Sequence, residues 1–281
     1  MVSIPKELTM LGVEKLLENG DSVPSYPRGY LGISQLGHKC PRFLWYSFRW
    51  AFKESHSRRK MRIFERGDME EDRIVNDLIL AGVHVRSRQL EVRFNQHIIG
   101  HIDGIVEGIP DSKKPHLLEI KTMKDSSFTK LKKDKLEKAV PVYWCQAHLY
   151  MHLIPVERCL FICTNKDTEE RYYERFPVDH DLADFLISRA IDISKSEYPP
   201  ERINNNPSWF ECKMCPALEV CHYDAPIMKN CRTCVNSDPY PEHGNKHEWY
   251  CNKHNRRYLL EHQREGCEEH SILESLSGTS D

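Results

Sequence analysis

Long apolar runs are missing from this chain. None approaches the roughly 20 residues that a membrane-spanning helix needs, so no membrane partner is expected. The opening residues, MVSIPKELTM, lack the charged and hydrophobic regions of a secretory signal, and a cytosolic setting is the expectation. Nor is there an excess of charge of one sign: 40 Lys and Arg stand against 42 Asp and Glu, a formal net charge of −2. A global pull on polyanions is thereby excluded, and any such attraction must come from local patches. Cysteine is scarce at first and dense later, with seven of the eleven beyond residue 211. In a reducing compartment closely spaced cysteines are more often metal ligands than disulfides. With 281 residues, 40% hydrophobic and 29% charged, the chain can bury a full core, as one elaborated domain or as a domain with an appendage.

The stretch Gly100–Lys121, GHIDGIVEGIPDSKKPHLLEIK, reads as parts of two strands, His97–Glu107 and His116–Lys121. Each carries acid where a buried strand should be apolar. Asp103 interrupts Ile98, Ile99, Ile102, Ile105 and Val106, while Glu119 and Lys121 flank Ile120. Because strand side chains alternate, Glu119 and Lys121 share a face and Ile120 takes the other. Carboxylates among aliphatics need compensation, and a hard divalent cation suits two of them.

The pattern Asp103-x15-Glu119-x-Lys121 resembles the PD-(D/E)xK nuclease superfamily. There Asp and Glu hold the metal, and Lys orients the attacking water or steadies developing phosphate charge. The resemblance extends to three further elements. Ile63–Ala81 has helical periodicity, with Ile74, Val75, Leu78 and Ile79 as its stripe and Gly82 as a cap. Glu71 falls on that stripe and Glu70 to its side. Gly67-x3-Glu71 is similar to the helix that offers a metal ligand in RecB-like nucleases, which favours Glu71, with Glu70 as the alternative. Gln146 and Tyr150, four apart on a helix from about Tyr143 to Leu153, are similar to the Q-x3-Y element of RecB-like and lambda-exonuclease-like enzymes.

Elsewhere the chain reads as follows. Residues Met1–Gly29 suggest a short helix and a loop, and Ser34 can cap a helix that Cys40 and Pro41 interrupt. From His38 to Arg66 aromatic residues (Phe43, Trp45, Tyr46, Phe48, Trp50, Phe52) interleave with basic ones, among them Arg42 and Arg49. Such mixing suits a surface that stacks bases and tracks phosphates; alternatively the aromatics are core and the charges a solvated face. His84–Phe94 alternates as a strand, and Asn95-Gln96 turns into the Asp103 strand. After Lys121 a mobile basic segment is expected, with Lys124, Lys130 and Lys132 as DNA contacts. Two strands, Glu157–Thr164 and Glu170–Phe176, precede an amphipathic helix over Asp179–Ser196 with Leu182, Phe185, Leu186, Ala190 and Ile193 inward. Strands flanked by helices give an α/β fold, a restriction-endonuclease-like mixed sheet between helices.

Cys212-x2-Cys215-x5-Cys221 offers three thiolates, and Cys40 is the candidate fourth. One Cys early and three late resembles the four-iron staple of RecB-like nucleases, including AddB and the CRISPR-adaptation nucleases; zinc is the competing occupant. The resemblance places a nuclease domain over 1–227 and a cysteine-rich, zinc-ribbon-like tail over 228–281, similar to tails on some bacteriophage proteins. In that tail Cys231-x2-Cys234-x16-Cys251-x15-Cys267 is a second ligand set, with His222, His243, His247, His254 and His270 as alternates for one position. Cys145, Cys159 and Cys163 fall on apolar positions and are read as core.

What the resemblance implies is a deoxyribonuclease using one or two Mg²⁺ or Mn²⁺ ions, held by Asp103, Glu119 and the Ile120 carbonyl with Glu71 nearby. It further implies exonuclease action on single-stranded DNA or DNA with free ends, in recombination, repair or end processing. The setting would be the cytoplasm of a prokaryotic or phage-infected cell, with a recombination or single-strand-annealing protein as a second partner. Three rivals stay open: an inactive DNA-binding or adaptor protein on this fold, a module whose business lies in the tail, and a structure-specific endonuclease.

Overall fold

The computed structural model describes residues 12–13, 23–24, 28–110, 112–239 and 246–277. The helix and loop expected within Met1–Gly29 fall mostly outside the described residues, as does His243. The elements begin with β1 (Val23–Pro24), β2 (Leu31–Gly32), α1 (Pro41–Phe48), β3 (Ser55–His56) and α2 (Arg58–Leu80). Then come β4 (His84–Arg86), β5 (Glu91–Asn95), β6 (Ile98–His101), β7 (Gly104–Glu107) and β8 (His116–Met123). They continue as α3 (Asp125–Ala139), α4 (Pro141–Leu153), β9 (Arg158–Asn165), β10 (Arg171–Pro177) and α5 (His180–Lys195). The last third holds the short helices α6 (Phe210–Lys213), α7 (Leu218–His222) and α8 (Leu260–Glu265), and the strands β11 (Ser237–Pro239), β12 (Trp249–Cys251) and β13 (Arg256–Tyr258).

Five strands make the central sheet, in the order β10-β9-β8-β7-β4. β8 and β9 are parallel and the other neighbours antiparallel, so the sheet is mixed. Strand alternation divides its side chains between two layers. Leu118, Ile120, Leu160 and Ile162 pack with Ile74 and Val75 of α2. Leu117, Cys159, Phe161 and Cys163 belong to the larger core that includes Ala147 and Leu149 of α4 and Leu186 and Ala190 of α5. The fold is therefore α/β, a mixed sheet flanked by helices. β8 lies between two strands and is buried along most of its length, which is what makes its charged residues costly.

Two expected strands are each broken. His97–Glu107 divides at Ile102 and Asp103: β7 stays in the central sheet, while β6 joins a second sheet ordered β2-β6-β5. His84–Phe94 divides opposite it, with β4 in the first sheet and β5 in the second. Ser87 and Gln89 bend this chain by taking positive φ, 53° and 51°. The apolar pattern ran through both breaks, because each half packs in its own sheet.

Other expectations are corrected by packing. Ser34 lies inside a 3₁₀ turn, Ile33–Gln35, whose preceding residue is Gly32, and α1 starts separately with Pro41 in its first turn. The basic segment after Lys121 is the ordered helix α3, anchored by buried Phe128, Leu131 and Leu136, with a break at Lys135 (φ 61°). On α5, Phe185 is 63% exposed and Ala183 and Ile187 are buried instead. Ile79 is likewise exposed on α2. Trp45, Tyr46, Phe48 and Trp50 are core, not a stacking surface.

The C-terminal segment shares that core. Trp249, Leu273 and Leu276 belong to the same cluster as Trp45 and Phe48. Arg232 is buried and donates to the carbonyls of Phe48 and Gly29, each at 3.0 Å, and to Gln263 Oε1 at 2.9 Å. Its guanidinium lies 3.9 Å from the Trp50 ring centre and 5.0 Å from that of Trp249. Carbonyls and ring faces thus take the place of a carboxylate partner.

Candidate active site

The break at Asp103 creates the site. β7 begins at Gly104, paired with Leu118, so beyond that pair the strand no longer runs alongside β8. The Ile120 N–H donates instead to Asp103 Oδ2 at 2.7 Å. A side chain completes the ladder, and Asp103 is fixed beside β8 at 8% exposure.

Glu119 is fully buried. Its Oε1 accepts from Gln146 Nε2 at 2.6 Å and forms an ion pair with Lys121, while its Oε2 has no hydrogen-bond partner among the described residues. Lys121 Nζ also donates to the Ile120 carbonyl at 3.0 Å and lies 3.8 Å from Asp103 Oδ2. Oxygens of Asp103, Glu119 and Ile120 therefore converge on one point, and the Lys121 ammonium stands there.

α4 supplies the far wall. Tyr150 accepts from the His101 N–H at 3.1 Å, and its ring packs so closely on Gly100 that a Cβ there would meet the Tyr150 oxygen at 2.5 Å. Tyr143, one turn before Gln146, places its ring centre 5.3 Å from Lys121 Nζ. The sequence reading missed Tyr143, although its spacing from Gln146 and Tyr150 is helical. On α2, Glu71 Oε1 accepts from Gln89 Nε2 at 2.8 Å and Arg88 Nη2 at 3.1 Å, two partners also missed because they sit in the bend between β4 and β5. Glu70 turns elsewhere, accepting from Thr164 Oγ1 at 2.8 Å.

Electrostatics bind these groups into one unit. Burial pushes the Glu119 carboxyl up to about 8, against the pull of Lys121 and with help from the negative charge of Asp103. Burial would lower Lys121, but the charges of Glu119 and Asp103 outweigh it and hold the ammonium protonated. Glu71 is raised by burial and then by Asp103. Tyr150 is raised by burial and by Glu119, so it stays a phenol at neutral pH. The carboxylates of Asp103 and Glu119, the latter with one oxygen unpartnered among the described residues, and the Ile120 carbonyl form an all-oxygen donor set of the kind that suits Mg²⁺ or Mn²⁺. Among the described residues no three His, Cys, Asp or Glu side chains already stand together as a metal-holding group.

Eight of the eleven cysteines line two cavities. Cys40, Cys212, Cys215 and Cys221 line one of about 260 Å³. Cys231, Cys234, Cys251 and Cys267 line another of about 40 Å³, with His254, His262 and His270. Burial raises the Cys215 thiol to about 11, and Cys231 likewise to about 11, the latter with contributions from Cys267, Cys234 and Cys251. Of the alternates for one ligand position, His247 stacks on Tyr30 and His222 lines the larger cavity. Cys159 and Cys163 are buried, and Cys145 partly so.

The expected DNA contacts divide. Arg49 is 1% exposed and donates to the carbonyls of Arg232 and Ser196, so it cannot meet a phosphate; the core claims it. Arg42 bonds Tyr46 and the Pro200 carbonyl. Lys124, Lys130 and Lys132 are exposed at or on α3, and Lys132 pairs with Glu170 at 2.8 Å. Among the described residues no helix is long and apolar enough to cross a membrane.

No protein-family model matches the chain, and no curated protein does. Similar solved structures include a protein called SSO0001, with 18% identity and a TM-score of 0.41 over 76% of this chain and 95% of that one. Another is the alkaline exonuclease LHK-Exo of Laribacter hongkongensis, with 16% identity and a TM-score of 0.43 over 59% of this chain and 87% of that one. A phage-related exonuclease of Haemophilus somnus 129PT aligns with 18% identity and a TM-score of 0.33 over 45% of this chain and 66% of that one. Likenesses of this depth do not assign the chain to a family.

Proposed function

We propose that the chain is a divalent-metal-dependent deoxyribonuclease acting on DNA ends, a role in recombination or repair. The observation that carries this reading is the buried Glu119 beside Asp103 and Lys121, with Oε2 left without a hydrogen bond among the described residues. A buried carboxylate oxygen in that condition is costly unless a cation or a proton meets it. Asp103, Glu119 and the Ile120 carbonyl would hold Mg²⁺ or Mn²⁺, with Glu71 nearby; when bound, such an ion lowers the pKa of a water and neutralises charge on the scissile phosphate. The protein's own groups do the rest. The Ile120 N–H fixes Asp103, and Gln146 fixes Glu119 through its Oε1. Lys121, kept protonated, steadies negative charge developing on the phosphoryl oxygens or orients the attacking water. Tyr150 holds α4 against β6, and exposed lysines of α3 attract the strand.

The two cysteine sets would serve as staples. Four cysteines are among the residues lining the cavity of about 260 Å³ and four among those lining the one of about 40 Å³; a four-iron cluster would occupy the first and a single zinc ion the second. The test is incubation with end-labelled single- and double-stranded DNA in Mn²⁺ or in EDTA. Shortening from an end in Mn²⁺ alone supports the reading; intact DNA under every condition overturns it.

A further inference from the structure

Lys60, Phe64, Gly67 and Glu71 lie at i, i+4, i+7 and i+11 on α2, hence along one face. Further on, the same face is packed, with Ile74 and Val75 buried against the sheet. At Gly67 it is open among the described residues: a Cβ built there meets none of them within 4 Å. At Phe64 it ends on an aromatic ring that is 44% exposed. Lys60 and Phe64 line a cavity of about 320 Å³ together with Arg28, Tyr30, Trp50 and Phe52, and His56 packs edge-on against the Phe64 ring, 5.6 Å between centres. Its walls are stiff. Trp50 is buried and donates its indole N–H to the Arg28 carbonyl at 2.8 Å, and Tyr30 stacks on His247. Glu54 also lines the cavity, but Lys60 pairs with it at 3.1 Å. Around the adjoining flank of α2, Arg59, Arg62 and Arg66 line a second cavity with Lys166, Asp167 and Thr122, the residue after Lys121; Arg66 donates to the Lys166 carbonyl at 2.7 Å and pairs with Glu169 at 3.6 Å.

The geometry points to a single-strand track. One unpaired DNA strand runs from the carboxylate site beneath Gly67 and lodges a nucleobase against Phe64, with Tyr30 and Phe52 around it and the nearby cations facing its phosphates. From Glu71 to Phe64 seven residues of helix rise span about 10 Å, a length of about two or three nucleotides. An unpaired strand is the occupant because a ring face can stack only on a base freed from its duplex, and the surrounding charge is mostly positive. The glycine is the clearance. This inference rests on the nuclease reading and adds to it the residues that hold an unpaired strand.

The test is fluorescence anisotropy with a labelled single-stranded oligonucleotide in EDTA, where no cleavage is expected. Phe64→Ala removes an exposed ring, and Gly67→Leu fills the gap while improving helix propensity, so neither should unfold the protein. Each is expected to weaken binding at least about fivefold, the loss of one base–aromatic stack. An abasic residue placed at successive positions should weaken wild-type binding at one position and add nothing in Phe64→Ala. Binding within twofold of wild type in both variants overturns the track. If the variants lose binding while wild type never cuts in Mn²⁺, the track stands and the nuclease reading falls. If wild type cuts and both variants bind normally, the reverse holds.

Discussion

Glu119 and Lys121 share an environment neither could occupy alone. Glu119 has lost all contact with water, and its carboxyl rises to about 8, well above the value of about 4.3 expected in an unfolded chain. Between those two values the folded form holds the extra proton. This group therefore favours folding at low pH, and that advantage is lost as pH rises through about 8. Ion binding needs the carboxylate, so Mn²⁺ affinity should rise with pH from 6 to 8. Calorimetric titration across that range checks this, and a flat profile counts against it. Lys121→Ala should abolish cleavage while sparing DNA binding, as read by gel assay and anisotropy; undiminished cleavage would remove Lys121 from the mechanism. At this scale much was legible in the sequence. Strand alternation put Glu119 and Lys121 together, and helical phase separated Glu71, raised by burial and then by the charge of Asp103, from Glu70, bound to Thr164. Arg88 and Gln89 were not legible as partners of Glu71, because nothing local shows where a bend will aim its side chains.

The element that shapes the site is a bent pair of strands. Periodicity identifies α2, α4, α5 and the strands β8, β9 and β10, since each buries one consistent face or both. It fails at Ile102–Asp103, where apolar residues continue on either side of a change of sheet. It also fails on α3, whose three buried residues are hidden among lysines. β6 and α4 meet at Gly100, where any side chain would strike Tyr150 and, at 2.9 Å, the Ile33 Cβ. Gly100→Ala is expected to cost about 1–3 kcal/mol by overpacking and to slow cleavage by moving Gln146 from Glu119. Urea melts and single-turnover rates measure both, and an unchanged melt would mean that the contact yields freely.

Across the whole molecule, the boundary expected at residue 227 does not divide the core. Arg232, between Cys231 and Cys234, reaches Phe48 and Gly29, and Trp249, two residues before Cys251, packs on Phe48 and lies 5.5 Å from the Arg49 guanidinium. Loss of a buried Trp alone costs about 3–5 kcal/mol, comparable to the total stability of many domains. Truncation before Met228 should therefore yield unfolded or insoluble protein, assessed by circular dichroism; a cooperatively melting fragment would show the segment to be separable. Cysteine spacing alone does not show that Arg232 ties the segment holding the second set to the core.

The shared divalent ion is tested most directly by titrating Mn²⁺ into wild type and Glu119→Gln at pH 8. Thiolates prefer softer metals, so the oxygen site should dominate the signal. Binding in wild type, and its loss by at least tenfold in the variant, is the expected result. Equal Mn²⁺ binding by the two proteins would contradict the site.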